Sequence, residues 1–174
     1  MGAVHQPLPV KLLMPMLSAD TALFESAEQS LIDRFGPADY HSPYLPFDHT
    51  TYYDKELGTG IWRKFLAFQQ LIDPGRLAEI KLTTNALEME WSEEGKRRIN
   101  LDPGYLCAAK LVLATTKNRA HRIYLGQGIY AEVTLSFYKK AFHACPWTYP
   151  DYRTQAYLEI MQEIRQIYMA QIKV

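Results

Sequence analysis

A chain of 174 residues with 48% hydrophobic and 13% aromatic side chains has the composition of a folded domain, not a disordered one; its length suggests a single domain, residues 1–174, burying roughly 70% of its unfolded surface. No apolar run approaches the ~20 residues of a membrane span, residues 1–10 lack the basic start and cleavable apolar stretch of a secretory signal, and Cys107 and Cys145 read more simply as thiols than as a disulfide, so the expectation is a cytoplasmic protein with no membrane partner. Net charge is zero but uneven: eight acids face two bases from Ser18 to Leu57, and seven bases face one acid from Gly95 to Arg122, so the basic segment either draws an anion or is neutralised by the acidic one across the fold.

Val10 to Leu17 is apolar almost throughout and reads as an interior strand. Pro15 cannot donate to a ladder, so the strand lies at an edge or ends there. Ser18 reads as an N-cap with Asp20 in the first turn. Leu23, Ala27, Leu31 and Phe35 then share one helix face, and Gly36-Pro37 stops the helix. Thr50 to Tyr53 reads as extended chain within an aromatic-anchored loop. Ile61 to Gln70 follows as a strand. Asp73-Pro74 opens a second helix, with Leu77, Ile80, Thr84, Leu87 and Trp91 inward and Glu79, Glu88 and Glu90 off the apolar stripe.

Arg97 to Leu101 is a short strand entering the turn Asp102-Pro103-Gly104. Leu106 to Thr116, His121 to Leu125 and Ile129 to Tyr138 follow as strands. The last alternates most cleanly: Ile129, Ala131, Val133, Leu135 and Phe137 against polar or aromatic neighbours. Tyr157, Ile160, Met161, Ile164, Ile167 and Tyr168 mark a C-terminal helix. The sum is an α+β fold, a mostly antiparallel sheet of about six strands with three helices packed on one face.

Taking Gly126 to Gly128 as a three-residue hairpin loop places Leu125 opposite Ile129, Tyr124 facing Tyr130, and Arg122 directly across from Glu132. A three-residue turn at Lys117-Asn118-Arg119 sets Val112 against Tyr124 and Lys110 against Gly126. Lys110, Arg122, Glu132, Tyr124 and Tyr130 then share one face of a meander. Such a group either holds a phosphate or carboxylate, with Glu132 orienting Arg122 or taking a proton, or is an ordinary cross-strand ion pair worth at most ~1 kcal/mol. Asp102 and Asp151 sit beside prolines in turns. They either bond their own backbone or act at the sheet's edge as metal-binding or base groups. Tyr105, Trp147 and Tyr149 either stack on a ring or anchor their turns.

Several chemistries lack their motif. There is no P-loop and no dinucleotide fingerprint, no serine in a nucleophile elbow, and no histidine–cysteine spacing beyond His143-Ala-Cys145 to suggest a metal. Thr116-Lys117-Asn118 is followed by Arg119 where a guanine-specificity motif needs an acid. No motif specifies a cofactor.

Two turn motifs, Asn100-Leu101-Asp102-Pro103-Gly104-Tyr105 and Pro146-Trp147-Thr148-Tyr149-Pro150-Asp151-Tyr152, together resemble the signature of an uncharacterised prokaryotic family, domain of unknown function 4416. Phe47-Asp48-His49-Thr50, Leu71-Ile72-Asp73-Pro74, Leu113 to Asn118, His121 to Leu125 and Gly128 to Leu135 fit the same family. The resemblance implies a stand-alone domain with no established activity. Members are sometimes labelled GTP-binding proteins, which points toward nucleotides although no motif here carries that label.

The expectation for function is a cytoplasmic protein that binds a phosphate-bearing small molecule, such as a nucleotide. Lys110, Arg122 and Lys117 meet the anion; Tyr124, Tyr130, Tyr105 and Asp151 line the ligand; Glu132 and Asp102 orient it or act as acid and base. Two alternatives stand beside it: RNA binding through the basic strands with Tyr124 and Tyr130 as stacking platforms, and a structural or partner-binding module.

Overall fold

The computed structural model describes residues 2–172; Met1 and residues 173–174 lie outside. The chain is α+β, and every strand pairing is antiparallel. The strands are β1 (Val10–Ser18), β2 (Ala38–His41), β3 (Leu45–Pro46), β4 (Trp62–Ile72), β5 (Asn100–Leu101), β6 (Gly104–Leu106), β7 (Lys110–Thr115), β8 (Ile123–Gly126), β9 (Ile129–Tyr138) and β10 (Ala141–Ala144). The helices are α1 (Thr21–Phe35), the single turn α2 (Asp54–Leu57), α3 (Leu77–Glu90) and α4 (Gln155–Gln171). One sheet holds all the strands in the order β10-β9-β7-β6-β1-β4-β2, with β3 on β4, β5 on β1 and β8 on β9. The strands beyond the expected six, β2, β3, β6 and β10, are short pieces of two to four residues, too brief to show a period.

The helices cover both faces of the sheet, not one. Leu12, Met14 and Met16 of β1 pack with Phe24, Ala27 and Leu31 of α1 and with Ile80 and Leu87 of α3. Leu13, Phe65 and Ala67 pack with Tyr157, Ile160, Met161, Ile164 and Tyr168 of α4 on the opposite side. That is why β1 is apolar on successive residues and fully buried: a strand covered on both faces loses its alternation. The exception, Lys11, is 0% exposed. Its three donors are all used, on Asp39 Oδ2 at 2.7 Å, the Phe68 carbonyl at 2.9 Å and Gln171 Oε1 at 2.9 Å, which ties the end of α4 to the sheet.

Pro15 lies in mid-strand. Its carbonyl accepts from Asp102 N, so its missing N–H faces the same edge, at the break between β5 and β6 where no ladder donor is needed. The helix cap is Asp20, whose side chain accepts from Ala22 N. Ser18 ends β1 instead, accepting from Asp20 N and donating to the Arg98 carbonyl. Thr50 to Tyr53 is a turn leading into α2, not a strand; the Thr50 hydroxyl accepts from Tyr52 N and the Thr51 carbonyl from Asp54 N, local bonds that compete with extension.

The greatest departure from the expected register is in the meander. β7 pairs directly with β9, Leu113 opposite Glu132 and Lys110 opposite Ser136. β8 lies on the other edge of β9, so the connection from Thr116 to Arg122 crosses the end of β9. Ten residues of β9 present one edge to β7 and share the other between β8 and β10. The hairpin turn is also tighter than expected. Gln127 and Gly128 alone form it, with φ of 54° and 78°, a two-residue turn of the twist that hairpins favour. Pairing shifts at Leu125, so Gly126 faces Ile129.

Candidate functional site

The two turn motifs meet at one end of the sheet, and each is built into it. In the first, the Asn100 amide donates to Asp102 Oδ2 at 2.6 Å, while Lys81 of α3 donates to the Leu101 carbonyl at 2.8 Å and lies 3.4 Å from Asp102 Oδ1. Glu88, which faces inward and is 2% exposed, accepts from Leu101 N at 2.5 Å and from Arg97 Nη1 at 2.9 Å. The apolar stripe of α3 thus includes an acid that its helical position alone placed outside. Arg97 also donates to Asn100 Oδ1 and grips Glu56 of α2 with Nε and Nη2 at 2.6 and 2.8 Å, pinning the 47–60 loop against the motif.

Arg97 holds the Glu56 carboxyl below its ordinary value of 4.5 through these hydrogen bonds. A folded pKa below the unfolded one means that the pair's contribution is complete above the unfolded value and is lost as pH falls through the folded one. Replacing Glu56 by glutamine is therefore expected to lower stability at pH 7 by about 0.5–1 kcal/mol, the range for a partly exposed pair, with the difference vanishing at an acidic pH below the folded pKa. Urea denaturation at the two pH values checks this; an equal deficit at both would show that the carboxylate charge contributes nothing.

The second motif seals the edge of β9 between β8 and β10. Trp147 Nε1 donates to the Val133 carbonyl at 2.8 Å and Thr148 Oγ1 to the Thr134 carbonyl at 2.6 Å. Thr148 also accepts from Cys145 N at 2.8 Å. Pro150 then starts a single turn, 151–153, that carries Asp151 and Tyr152 into the interior.

Asp151 meets Arg63 of β4 there. Arg63 Nη2 donates to Asp151 Oδ2 at 3.0 Å and Nε to the Tyr157 hydroxyl at 3.3 Å; the two charged side chains are 4% and 6% exposed. Four aromatic rings, of Phe47, Phe65, Tyr152 and Tyr157, surround the guanidinium with centroids 5.2–5.9 Å from Cζ. Burial opposes the Arg63 charge, but Tyr152, Tyr157, Asp151 and Asp102 more than offset it, and its pKa lies above the ordinary value. Sequence reading missed Arg63. The available signal was an arginine set among Ile61, Trp62, Phe65, Leu66 and Phe68.

A third element, the loop 116–122, completes the cluster. Arg122 and Glu132 face each other as expected, Nε to Oε2 at 2.9 Å, both side chains nearly sealed from solvent. Arg122 also donates to the Lys117 carbonyl at 2.9 Å and to the Tyr149 hydroxyl at 3.3 Å. His121 Nε2 lies 2.8 Å from the same Glu132 oxygen, and its ring stacks on Trp147 at 5.1 Å and 11°. Lys117 Nζ reaches across to the Tyr52 hydroxyl at 2.6 Å, a bond that lowers that phenol's pKa. The Tyr53 ring lies 6.0 Å from that of Phe47 and 5.0 Å from that of Tyr52; burial raises its pKa, and Asp102, Arg63, Tyr149 and Arg97 all act on it electrostatically.

Asp102, Asp151, Lys117, Arg122 and Glu132 therefore belong to this cluster. Tyr124 and Tyr130 pair as expected, rings 5.2 Å apart, on the hairpin beside it. Lys110 does not join them. It sits at the far end of β7, and by strand alternation it shares the face of Val112 and Ala114, which pack with α3, whereas Glu132 lies opposite Leu113, which packs on the α4 side. Tyr105 is also separate, half-buried against the α1 and α3 clusters. His121, Trp147 and Tyr53 gain their places from contacts remote in sequence.

The profile of a family described as Domain of unknown function (DUF4416) matches residues 8–168. The chain belongs to this family. No curated protein and no solved structure matches it. In this DUF4416 domain two grooves border the cluster. One of about 870 Å³ runs between α2 and the 93–98 segment, with Asp20, Glu56, Arg97 and Arg98 in its walls. The other, about 340 Å³, is lined by Phe47, Asp48, Thr50, Thr51, Gly60 and Trp62. Among the described residues no group of three His, Cys, Asp or Glu side chains is placed to hold a metal ion, and no helix is long and apolar enough to cross a membrane.

Proposed function

We propose that this domain is a cytoplasmic protein that binds a phosphate-bearing small molecule of the nucleotide or sugar-phosphate kind at the end of the sheet where the three loops meet. The observation that carries this reading is the anchoring of the basic loop. Arg122 spends its hydrogen bonds on Glu132, the Lys117 carbonyl and Tyr149, so it does not itself face a ligand; it holds the loop in place. Lys117 and Arg119 remain exposed on that loop, and Arg119 makes no ion pair among the described residues. Exposed Tyr52, Trp147 and Tyr149 stand beside them. Fixed cations next to aromatic faces suit a phosphate with a ring attached. Glu132 orients His121 and Arg122. Asp102, with 27% of its side chain exposed against 4% for Glu132, is the more open of the two carboxylates and the one placed to exchange a proton.

Thermal-shift and calorimetric screening against nucleotides and sugar phosphates tests the reading. A ligand at one hundred times its Kd is expected to stabilise the fold by about 2.7 kcal/mol, and Lys117→Ala to weaken it about tenfold. Stabilisation by none of the compounds would end it. Tyr124, 59% exposed against Tyr130, favours single-stranded RNA as a second reading, which binding that collapses steeply with added salt would mark.

A further inference from the structure

Arg63 Nη1 and the Tyr152 hydroxyl are the buried side-chain polar atoms that lack a hydrogen-bond partner among the described residues. Native proteins rarely leave such groups unsatisfied, and where they do, a water or ligand commonly supplies the partner. The two belong together. Arg63 Cζ is 5.7 Å from the Tyr152 ring centroid, and Tyr152 leads the groups that act on Arg63 electrostatically.

Their chemistry defines what is missing. Asp151 already balances the Arg63 charge, and Asp102 adds a second negative charge to the surroundings. A further anion would meet two carboxylates. An uncharged acceptor oxygen would not, and it would satisfy the guanidinium N–H. Burial raises the Tyr152 pKa well above its ordinary value, so the phenol stays protonated, able to donate to that oxygen or to accept from a hydroxyl. The ring of aromatic side chains around Cζ suits a flat or cyclic group.

Phe47 walls the groove of about 340 Å³, and the same ring lies 5.2 Å from Arg63 Cζ. Phe47 is thus the side chain shared by the groove and the guanidinium. Tyr53 links this wall to the outer loop: its ring lies 6.0 Å from that of Phe47 and 5.0 Å from that of Tyr52, whose hydroxyl accepts from Lys117.

We propose that Arg63 and Tyr152 form an inner subsite for the uncharged, oxygen-bearing head of the ligand, a sugar or a nucleobase, entered past Phe47 while the phosphate stays on the Lys117 loop. Only the placing of the phosphate rests on the functional reading above; the inner subsite stands on the two unpartnered groups.

Calorimetry on the full chain with inorganic phosphate, ribose 5-phosphate, a nucleoside monophosphate and the same nucleoside without phosphate separates the two halves. The wild type is expected to bind ribose 5-phosphate or the nucleotide at least tenfold tighter than inorganic phosphate. Arg63→Lys keeps a cation opposite Asp151 but lacks Nη1; it is expected to reduce that preference to near unity without changing phosphate affinity. Lys117→Ala is expected to weaken every phosphate compound alike and leave the nucleoside untouched. No preference over inorganic phosphate, or a preference that Arg63→Lys does not move, overturns the inner subsite and leaves the phosphate reading standing. Binding of the nucleoside with no gain from its phosphate overturns the phosphate reading and leaves the subsite standing. Binding of none of the four overturns both. Should Arg63→Lys fail to fold, the wild-type Arg63 side-chain ¹⁵N–¹H resonances give the answer: they are expected to shift with the nucleotide or ribose 5-phosphate but not with inorganic phosphate, and their failure to shift with either sinks the subsite.

Discussion

Replacing Asp151 by alanine is expected to cost about 3–5 kcal/mol of folding stability, the range for removing one partner of a buried ion pair. The size follows from what remains. Arg63 would keep its charge at 4% side-chain exposure, among four aromatic rings, with only the Tyr157 hydroxyl still accepting from it. A guanidinium does not escape by losing its proton, and β4, paired on both sides at this row to Leu17 and Leu45, does not let it swing out. Urea denaturation measures the loss directly. A double-mutant cycle with Arg63→Met sharpens it: removing both charges is expected to cost less than the two single losses added together, because the second change removes the stranded charge left by the first. A deficit under about 1 kcal/mol for Asp151→Ala would place the pair with ordinary surface bridges and show that water reaches Arg63 freely.

The second large effect concerns Gly104, and here backbone proximity is at issue instead of charge. A Cβ at this position would lie 2.3 Å from the Val112 carbonyl oxygen and 2.6 Å from Leu113 Cδ2. Gly104 and Leu113 are direct partners across β6 and β7, while Gly104 also faces Leu13 of β1 on its other side. The strand has no free side toward which to yield. Alanine must push β7 away or shear β6 against β1, and either motion opens packed core; overpacking of this kind costs about 1–3 kcal/mol and occasionally more, and a backbone contact belongs at the upper end. Thermal denaturation should show the loss, and amide exchange at Ala114, whose N–H bonds to the Pro103 carbonyl, should quicken with it. An alanine variant as stable as the wild type would mean that the strands are more loosely joined at this row than the geometry shows.

These two residues belong to the two turn motifs, and both act on architecture. Gly104 permits close approach of two strands. Asn100 and Asp102 gather Arg97 and Lys81 around the β5–β6 break. Trp147 and Thr148 cap the carbonyls of β9 that neither β8 nor β10 covers. Much of what makes the motifs distinctive is therefore the means by which Arg63, Arg122 and Glu132 are held where they are.

The Arg122–Glu132 pair and the Tyr124–Tyr130 contact were legible from local hairpin geometry, since a tight turn between two strands leaves few registers. Lys110 was misplaced because its partner is set by which strand lies beside β7, and nothing local distinguishes β8 from β9 as that neighbour. His121 stacks on a tryptophan 26 positions away, a proximity that only the crossing of the 116–122 loop over β9 creates. Glu88 was placed in solvent by helical spacing; the unpaired amide of Leu101 and the guanidinium of Arg97 draw it inward.

The order of residues alone determined the long helices and strands, their ends at Gly36-Pro37 and Asp73-Pro74, and membership of a family, because periodicity, capping and turn chemistry act over a few residues. The tertiary structure decided that helices cover both faces of the sheet, which strand neighbours which, and that an arginine from β4 lies buried against an aspartate 88 positions later. Those outcomes depend on where apolar surfaces find cover and where buried charges find partners, and such partners are chosen across the whole fold.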